Sequence, residues 1–255
     1  MFRRWLNENE IADIPFEKPL FPKAAERDFW EQAIPSAYIQ TAQTYLGYDW
    51  PLIRATQYRA FETEGDRLAQ ETPHFARRHS LLCLLLGELA EYEGRFLPDI
   101  CDGILAICEE SYWGVSAHRD FNLPRKSIPD AAEPYIDLFA AETAELLAVV
   151  HSILGTELET FCDGISARIT YELERRIVTP YLTHRNYFWM GNDGSKVNNW
   201  NPWILSNVLT VFLLTPIDRP RFERGLTYML QEINHYYDSV PDDGGCDEGA
   251  AYWTK

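Results

Sequence analysis

The segment from Tyr181 to Trp203, "YLTHRNYFWMGNDGSKVNNWNPW", carries side chains suited to binding a sugar. It breaks the helical periodicity of the flanking chain and combines asparagines with aromatic rings. Such rings stack on the C–H faces of sugars, and amide groups donate to and accept from hydroxyls. The segment therefore predicts one wall of a sugar-binding cleft. The candidate binding residues in it are Arg185, Trp189, Asn198, Trp200 and Asn201, and it also contains His184 and Asn199.

The dipeptide Asn201-Pro202 is typical of a helix start, with an N-cap followed by proline in the first helical position. Asn198 and Asn199 would then lie at a helix N-terminus, where free backbone N–H groups and the helix dipole favour an anion. A substrate carboxylate is one candidate. Taken singly, the tryptophans are equally explained as core residues and the asparagines as partners for loop backbone.

The C-terminal segment "PDDGGCDEGAAYWTK" combines acids and glycines with two aromatic residues. Asp242 to Gly245 is a turn signal, and Asp247 and Glu248 suit the first turn of a following helix. Tyr252 would lie about one turn beyond Glu248, on the same face and near enough to be oriented by it. The acids lack the spacing of a calcium loop, so neither a metal nor another cofactor is predicted.

A third segment, "SYWGVSAHRD", places Trp113 and His118 on either side of Gly114, which indicates a loop. We interpret it as a further wall of the cleft, with both residues as candidates for substrate binding.

Composition excludes several classes of partner. The formal charge of −16, from 39 acidic against 23 basic residues, repels nucleic acid and anionic membranes. The 8 tryptophans point to carbohydrate or another flat ligand.

Five cysteines without a CxxC pair suggest free thiols rather than a zinc site or a disulfide framework. The N-terminus has no apolar core of signal-peptide length, and no segment is expected to span a membrane. As written the chain is expected in the cytoplasm, or in the periplasm or outside the cell if a leader was removed.

Helical periodicity dominates the chain, so we predict an all-α fold. In "EPYIDLFAAETAELLAVVHSILG", Pro134 suits a first turn and Gly155 a C-terminal stop. A capping box at Thr156 and Glu159 would open the next helix, which Thr179-Pro180 would end. Further helices are predicted over 24–46, 52–70, 76–94, 98–112, 202–214 and 220–238. Short connections favour antiparallel hairpins, hence one domain over 1–255 with α/α toroid architecture, or an irregular bundle as the alternative.

The pair "NNWNPW" (198–203) and "DGGCDEGAAYW" (243–253) resembles the signature of the heparinase II/III-like family, which groups with alginate lyases. "SYWGVSAHRD" and "IDLFAAETAELL" are similar to earlier segments of that family. The resemblance covers most of the chain beyond about residue 75 and is to the helical N-terminal domain. Family members continue into a large β-sandwich, so it implies an incomplete toroid that is truncated at its C-terminal end.

The resemblance implies polysaccharide lyase chemistry, in which a uronic acid loses its C5 proton and the 4-linked sugar leaves by β-elimination. It implies Tyr252 as donor to the leaving oxygen and leaves a second role for Tyr252 as base open. By spacing, Glu248 would orient Tyr252 or only cap a helix, and Trp253 is a further candidate for substrate binding. Asn198 or Asn199 would neutralise the uronate carboxylate. Related lyases carry a histidine at or beside these asparagines, and His184 or His118 is expected to substitute for it here.

Two alternatives stay open. A glycoside hydrolase needs two carboxylates roughly 5–10 Å apart; Asp243, Asp247 or Glu248 would supply one, and Glu142 or Asp193 the other. The third reading is a non-catalytic glycan-binding domain of undetermined oligomeric state. A heavily sulfated glycan would be repelled unless His184, Arg185 and Arg168 make the cleft locally positive, so short or sparsely charged oligosaccharides fit better.

Overall fold

The computed structural model describes residue 11 and residues 21–118, 127–242, 244, 245 and 249. Every regular element among these residues is helical, and they contain no β-strand. The predicted all-α class is therefore confirmed.

The helices follow one another with short connections. They are α1 (Arg27–Ala33), α2 (Ala37–Gln43), α3 (Ala55–Glu64), α4 (Leu68–Glu91), α5 (Leu97–Cys108), α6 (Leu138–Phe161), α7 (Ile165–Leu173), α8 (Thr179–Thr183), α9 (Trp200–Leu214) and α10 (Arg219–Ser239). Two 3₁₀ turns, Ser116–His118 and Phe188–Met190, lie in the longer connections, and a π-helical turn, Glu174–Val178, joins α7 to α8.

Successive long helices form antiparallel hairpins. In α4 and α5, Gly87 packs against the Phe96 ring, while the Arg77 guanidinium donates to the Ala106 carbonyl at the other end of the pair. In α9 and α10, Gly225 packs against Phe212, and Asn201 reaches the Glu232 carbonyl. The long α6 turns back through Gly164 into α7.

Helices α4 and α6 run in the same direction. The Phe75 and Phe139 rings are 4.8 Å apart, Arg78 Nε donates to Thr143 Oγ1 at 3.0 Å, and the Tyr92 hydroxyl donates to Glu157 at 2.7 Å. Residue numbers increase in the same direction on both helices from one contact to the next, which shows that the two helices are parallel.

Helix α9 runs alongside α6 in that direction too. Trp203 bonds Glu142, and Thr210 bonds Glu145 farther along the pair. The N-terminal ends of α4, α6 and α9 therefore lie at the same end of the molecule. One connected apolar cluster, including Trp30, Leu84, Ile104, Leu147, Ile169, Val208 and Met229, extends from α1 to α10.

Helix α6 does not stop where local signals predicted. Gly155 and Thr156 lie inside it, and it ends at Phe161. Leu154 and Leu158, on either side of the glycine, are fully buried, and their packing outweighs the ~1 kcal/mol that an interior glycine costs. The predicted stop and capping box are therefore wrong.

The start of α6 and the cap of α7 also differ from prediction. Asp137, not the chain around Pro134, caps α6. Glu159 accepts hydrogen bonds from the backbone N–H groups of Gly164 and Ser166 at 2.9 and 3.0 Å. It thus satisfies the first turn of α7 from within the preceding helix.

The other boundary differences have local causes. Residues 24–46 form two helices because the chain is interrupted around Pro35, and α4 begins at Leu68, ahead of the predicted 76. The Thr179-Pro180 stop is wrong, since the π turn closes with Thr179 N–H on the Glu174 carbonyl. Pro180 then occupies the first turn of α8, a position that needs no N–H donor.

In the described part of the chain, α6 alone is long and apolar enough to cross a membrane by length and composition. The expectation that no segment has these properties is wrong on this point. Of its apolar window, 56% is buried inside the protein, where α6 packs against α4, α7 and α9. A mostly buried core helix passes the same test of length and composition.

A buried ion network joins α4 to the chain that follows α5. The Glu110 side chain, only 1% exposed, accepts from Arg77 at 2.9 Å and from Arg78 at 2.6 Å. Arg176 donates to the Glu110 carbonyl at 2.5 Å. Burial, followed by the charges of Arg78 and Arg77, holds the pKa of the neighbouring His74 well below 6.5. The histidine is therefore neutral at pH 7.

We expect Glu110→Ala to lower the free energy of unfolding by about 3–5 kcal/mol, because two buried guanidinium groups lose their carboxylate. The matched control is Glu109→Ala, whose side chain is 64% exposed where it meets Arg168; it should cost less than about 1 kcal/mol. Urea denaturation of both variants measures the difference. Equal losses would contradict a structural role for the buried network.

Candidate functional site

A cluster of polar and aromatic side chains lies where α6 and α9 begin. We call it the His118 site and define it by His118, Phe139, Glu142, Phe188, Trp200 and Trp203. All six are partly or largely accessible. The site brings together the 3₁₀ turn Ser116–His118, the first two turns of α6 and the first turn of α9.

Helix α4 holds the loop that carries His118. Gln70, which is fully buried, accepts from the Ser116 N–H at 3.1 Å and donates to the Gly114 carbonyl at 3.3 Å. The loop is therefore fastened on both sides of its turn by one amide side chain.

Asp137 fixes the orientation of His118. The carboxylate is fully buried and accepts from the N–H groups of Ala140 at 2.7 Å and Val115 at 3.2 Å. Its Oδ2 lies 3.2 Å from His118 Nδ1. With Asp137 as a carboxylate acceptor, this network assigns the imidazole hydrogen to Nδ1. Nε2 is then the acceptor that remains for a ligand.

Two aromatic rings contact the imidazole of His118. The Phe139 ring stacks on it at 5.2 Å with an interplanar angle of 9°, and Trp200 lies 4.7 Å away at 54°. Phe188 extends the surface, 5.1 Å from Trp200. These contacts restrict the orientation of His118 and place apolar ring surface beside its Nε2, which no described residue bonds.

Glu142 lies one helical turn beyond Phe139. Trp203 Nε1 donates to its Oε1 at 2.9 Å, and among the described residues no group bonds Oε2. Burial raises the pKa of Glu142, and the charges of Asp137 and Glu145 raise it further, while the Trp203 bond opposes them. The site therefore contains a carboxyl group that is easier to protonate than an ordinary glutamate.

Asn198 and Asn199 lie at the N-terminus of α9, as predicted, although the cap is Asn199 and not Asn201. Asn198 is exposed and accepts from the Trp200 N–H at 3.1 Å. Asn199 is half-buried. Both are positioned beside Trp200 and hence at the edge of the His118 site.

Three residues predicted to contact the substrate are instead buried beneath the surface. Asn201 donates to the carbonyls of Trp189 at 2.9 Å and Glu232 at 3.3 Å. The indole N–H groups of Trp189 and Trp113 donate to backbone carbonyls, each at 2.9 Å. The side-chain N–H groups of these three residues are bonded to backbone carbonyl groups. In this conformation the residues are therefore buried structural residues and do not reach a ligand.

The structure does not bring His184 and Arg185 to His118. His184 lies 3.6 Å from Glu133 and stacks on Tyr187 at 5.9 Å. Arg185 pairs with the buried Glu232 and lies 3.8 Å from the Tyr228 ring.

The residues that would have to make the cleft locally positive for a sulfated glycan each lie beside a carboxylate. Arg168 is paired with Glu109 and Glu172 at 2.9 and 3.1 Å, as His184 is with Glu133 and Arg185 with Glu232.

The remaining candidates divide into two groups. Tyr252, Glu248 and Trp253 lie outside the described residues, as do Asp243 and Asp247. Asp193 is exposed and accepts from the Ser195 N–H at 2.9 Å in a turn. Of the acids named for a hydrolase, Glu142 is the one that the described structure brings to the His118 site.

Two residues of this site, Asp137 and Phe139, were not among the candidates predicted from the sequence. Asp137 directly precedes α6, and aspartate before a helical run is a recognised capping signal. That signal accounts for its bond to Ala140. It does not reveal the bond to His118, which lies 19 residues away.

Comparison with known protein-family models returned no match, and comparison with curated proteins returned none. In the described segments no group of three or more His, Cys, Asp or Glu side chains could hold a metal ion. The function is therefore argued from the side chains of the His118 site.

We expect Gly114→Ala to disturb the site through sterics. A Cβ at position 114 would lie 2.3 Å from the Tyr112 hydroxyl and 2.4 Å from Asp137 Oδ1. Relieving that overlap should cost about 1–3 kcal/mol of stability. Urea unfolding measures the loss, with Gly155→Ala in α6 as control, expected to change stability by less than about 1 kcal/mol. An unchanged unfolding midpoint for Gly114→Ala would contradict the close packing around Asp137.

We expect Glu142 to titrate above the ordinary glutamate value of 4.5. Because its carboxyl group bonds the Trp203 indole, ionisation should change the fluorescence of that tryptophan. The measurement is the pH dependence of emission, taken as the difference between the wild type and Trp203→Phe. The difference signal should disappear in Glu142→Gln; a midpoint at or below 4.5 would contradict the prediction.

Proposed function

We propose that this chain carries a polysaccharide lyase site that acts on uronic-acid-containing oligosaccharides by β-elimination, with His118 as the base. The supporting observation is the His118–Asp137 pair within an aromatic surface at the start of α9. A histidine oriented by a buried carboxylate, with its second nitrogen available, is a common arrangement for proton abstraction.

Substrate binding would use the rings and the helix end. Trp200 and Phe188 offer ring faces for a sugar. The uronate carboxylate would bind at the N-terminus of α9 beside Asn199, where backbone N–H groups and the helix dipole favour negative charge. Hydrogen bonding there would stabilise the enolate-like intermediate.

In the proposed reaction, His118 Nε2 takes the proton from C5. The electrons of the C5–H bond form the C4–C5 double bond, and the C4–O bond breaks with its electron pair on the leaving oxygen. The resemblance assigns protonation of that oxygen to Tyr252. A positioned base contributes about 10²–10⁴-fold to such a step.

The charge distribution favours a sparsely charged substrate. The formal charge is −16, and Arg168 and Arg185, two of the residues that could make the cleft locally positive, are paired with carboxylates. A single uronate at the α9 terminus needs one local positive field, whereas a sulfated chain needs many.

We also propose the α/α toroid architecture of the heparinase II/III-like family. The antiparallel hairpins and the shared direction of α4, α6 and α9 support it. In such an arrangement the helices of one layer begin at a common end, which is where the His118 site lies.

The test is ultraviolet absorbance of the unsaturated product from alginate, hyaluronan, heparosan and heparin. We expect the wild-type chain to produce a rise with at least one unsulfated glycan. His118→Gln should lower the rate about 10²–10⁴-fold, while His184→Gln, at a histidine that contacts Glu133 and Tyr187, should stay within a few-fold of the wild type. Full activity in His118→Gln, or no rise on any glycan with the wild type, would contradict the proposal.

A glycoside hydrolase is the second candidate, favoured by the presence of Glu142 at the site. It would release reducing ends without ultraviolet absorbance, because no double bond forms. Measuring both signals on the same reaction separates the two chemistries.

A further inference from the structure

We propose that Glu142 is the acid that protonates the leaving oxygen at the His118 site. This inference rests on the proposed function, and it assigns to a described residue the step that the resemblance gives to Tyr252. It applies to elimination and hydrolysis alike, since both expel a glycosidic oxygen that needs a proton.

The first support is the matched spacing of the two groups. Phe139 and Glu142 are three residues apart on α6, and Trp200 and Trp203 are three apart on α9. His118 contacts the first residue of each pair, and the second residues bond each other. Phe139, which contacts the base, and Glu142 thus lie on successive turns of one interface, roughly 5 Å apart along the helix axis.

The second support is the direction in which the proton would point. Oε1 accepts the Trp203 N–H at 2.9 Å, so a proton on this carboxyl belongs on Oε2. Within the described chain Oε2 has no other hydrogen-bond partner, and Glu142 is only partly buried. The Trp203 bond therefore orients the carboxyl group and leaves Oε2 without a hydrogen-bond partner among the described residues.

The third support is the contrast with neighbouring acids. Glu145, one turn farther along α6, accepts from Thr210 at 3.1 Å. Asp137 is committed to two backbone N–H groups and to His118. No ion pair holds Glu142 in the described structure, and burial favours its protonated form. Of these three acids, Glu142 is the one that bonds the Trp203 indole beside the ring that contacts His118.

The step balances without a further reagent. His118 Nε2 receives the C5 proton, the C4–O bond breaks, and the Oε2–H proton of Glu142 passes to the departing oxygen. The protein ends with one proton on His118 and one fewer on Glu142. Exchange with water restores both groups, and nothing is oxidised or reduced.

The experiment compares Glu142→Gln with the wild type on two substrates. Glutamine keeps an oxygen for the Trp203 hydrogen bond but cannot supply the proton. One substrate is the glycan that the wild type cleaves; the other is a uronic acid bearing nitrophenoxide at C4, a group that leaves without protonation. If the wild type hydrolyses, a nitrophenyl glycoside replaces the second substrate.

We expect Glu142→Gln to lower kcat on the glycan by about 10²–10⁴-fold, with KM changed little. On the nitrophenoxide substrate its rate should stay within about tenfold of the wild type. His118→Gln should lose activity on both substrates, because proton abstraction is needed in each. Glu145→Gln, one turn away on the same helix, is the matched control and should resemble the wild type.

Each other result overturns a defined claim. Wild-type kcat for Glu142→Gln on the glycan would refute the acid role and leave the base assignment intact. Equal losses on both substrates would show a structural role instead of proton donation. A wild type without activity on either substrate would refute the proposed function, and this inference with it.

Discussion

The buried Asp137 carboxylate is the interaction on which the site depends. Removing a charge from water costs several kcal/mol unless hydrogen bonds replace hydration. Here the N–H groups of Ala140 and Val115 and the ring of His118 supply them. One side chain thereby starts α6, closes the loop after α5 and orients the imidazole. Helix geometry and site geometry are therefore coupled through a single group.

The parallel arrangement of α4, α6 and α9 determines which side chains surround Asp137 and His118. Because these helices begin at the same end, the 3₁₀ turn carrying His118 meets Phe139 from α6 and Trp200 from α9. The rings pack against the imidazole, whose Nδ1 is bonded to Asp137. One helical turn farther along, Glu142 of α6 and Trp203 of α9 form a second contact between the same two helices. The first contact includes the imidazole of His118, a proton acceptor, and the second includes the carboxyl group of Glu142.

Several arginine side chains of this protein are held in ion pairs with carboxylates. Glu110 holds Arg77 and Arg78, Glu172 holds Arg168 and Arg176, and Glu232 holds Arg185. These guanidinium groups fasten segments that are distant in sequence, as when Arg185 ties the loop after α8 to α10. Cations committed in this way add little positive field at the surface. That is the electrostatic reason why a substrate with few charges suits this protein.

The sequence by itself determined the helical class. Apolar spacing of three and four residues reports which residues can share a buried face, and the Asn201-Pro202 signal placed the start of α9 within two residues of Trp200. Which residues pack together or form hydrogen bonds across distant segments was decided only by the tertiary structure. Gly155 lies inside α6 because Leu154 and Leu158 are both buried by neighbouring helices. Trp189 and Asn201 lie beneath the surface although their types suit a binding wall, while His118 gained its carboxylate from 19 residues away. Local propensity sums over a few neighbouring residues, whereas burial and hydrogen-bond pairing depend on which distant segments meet.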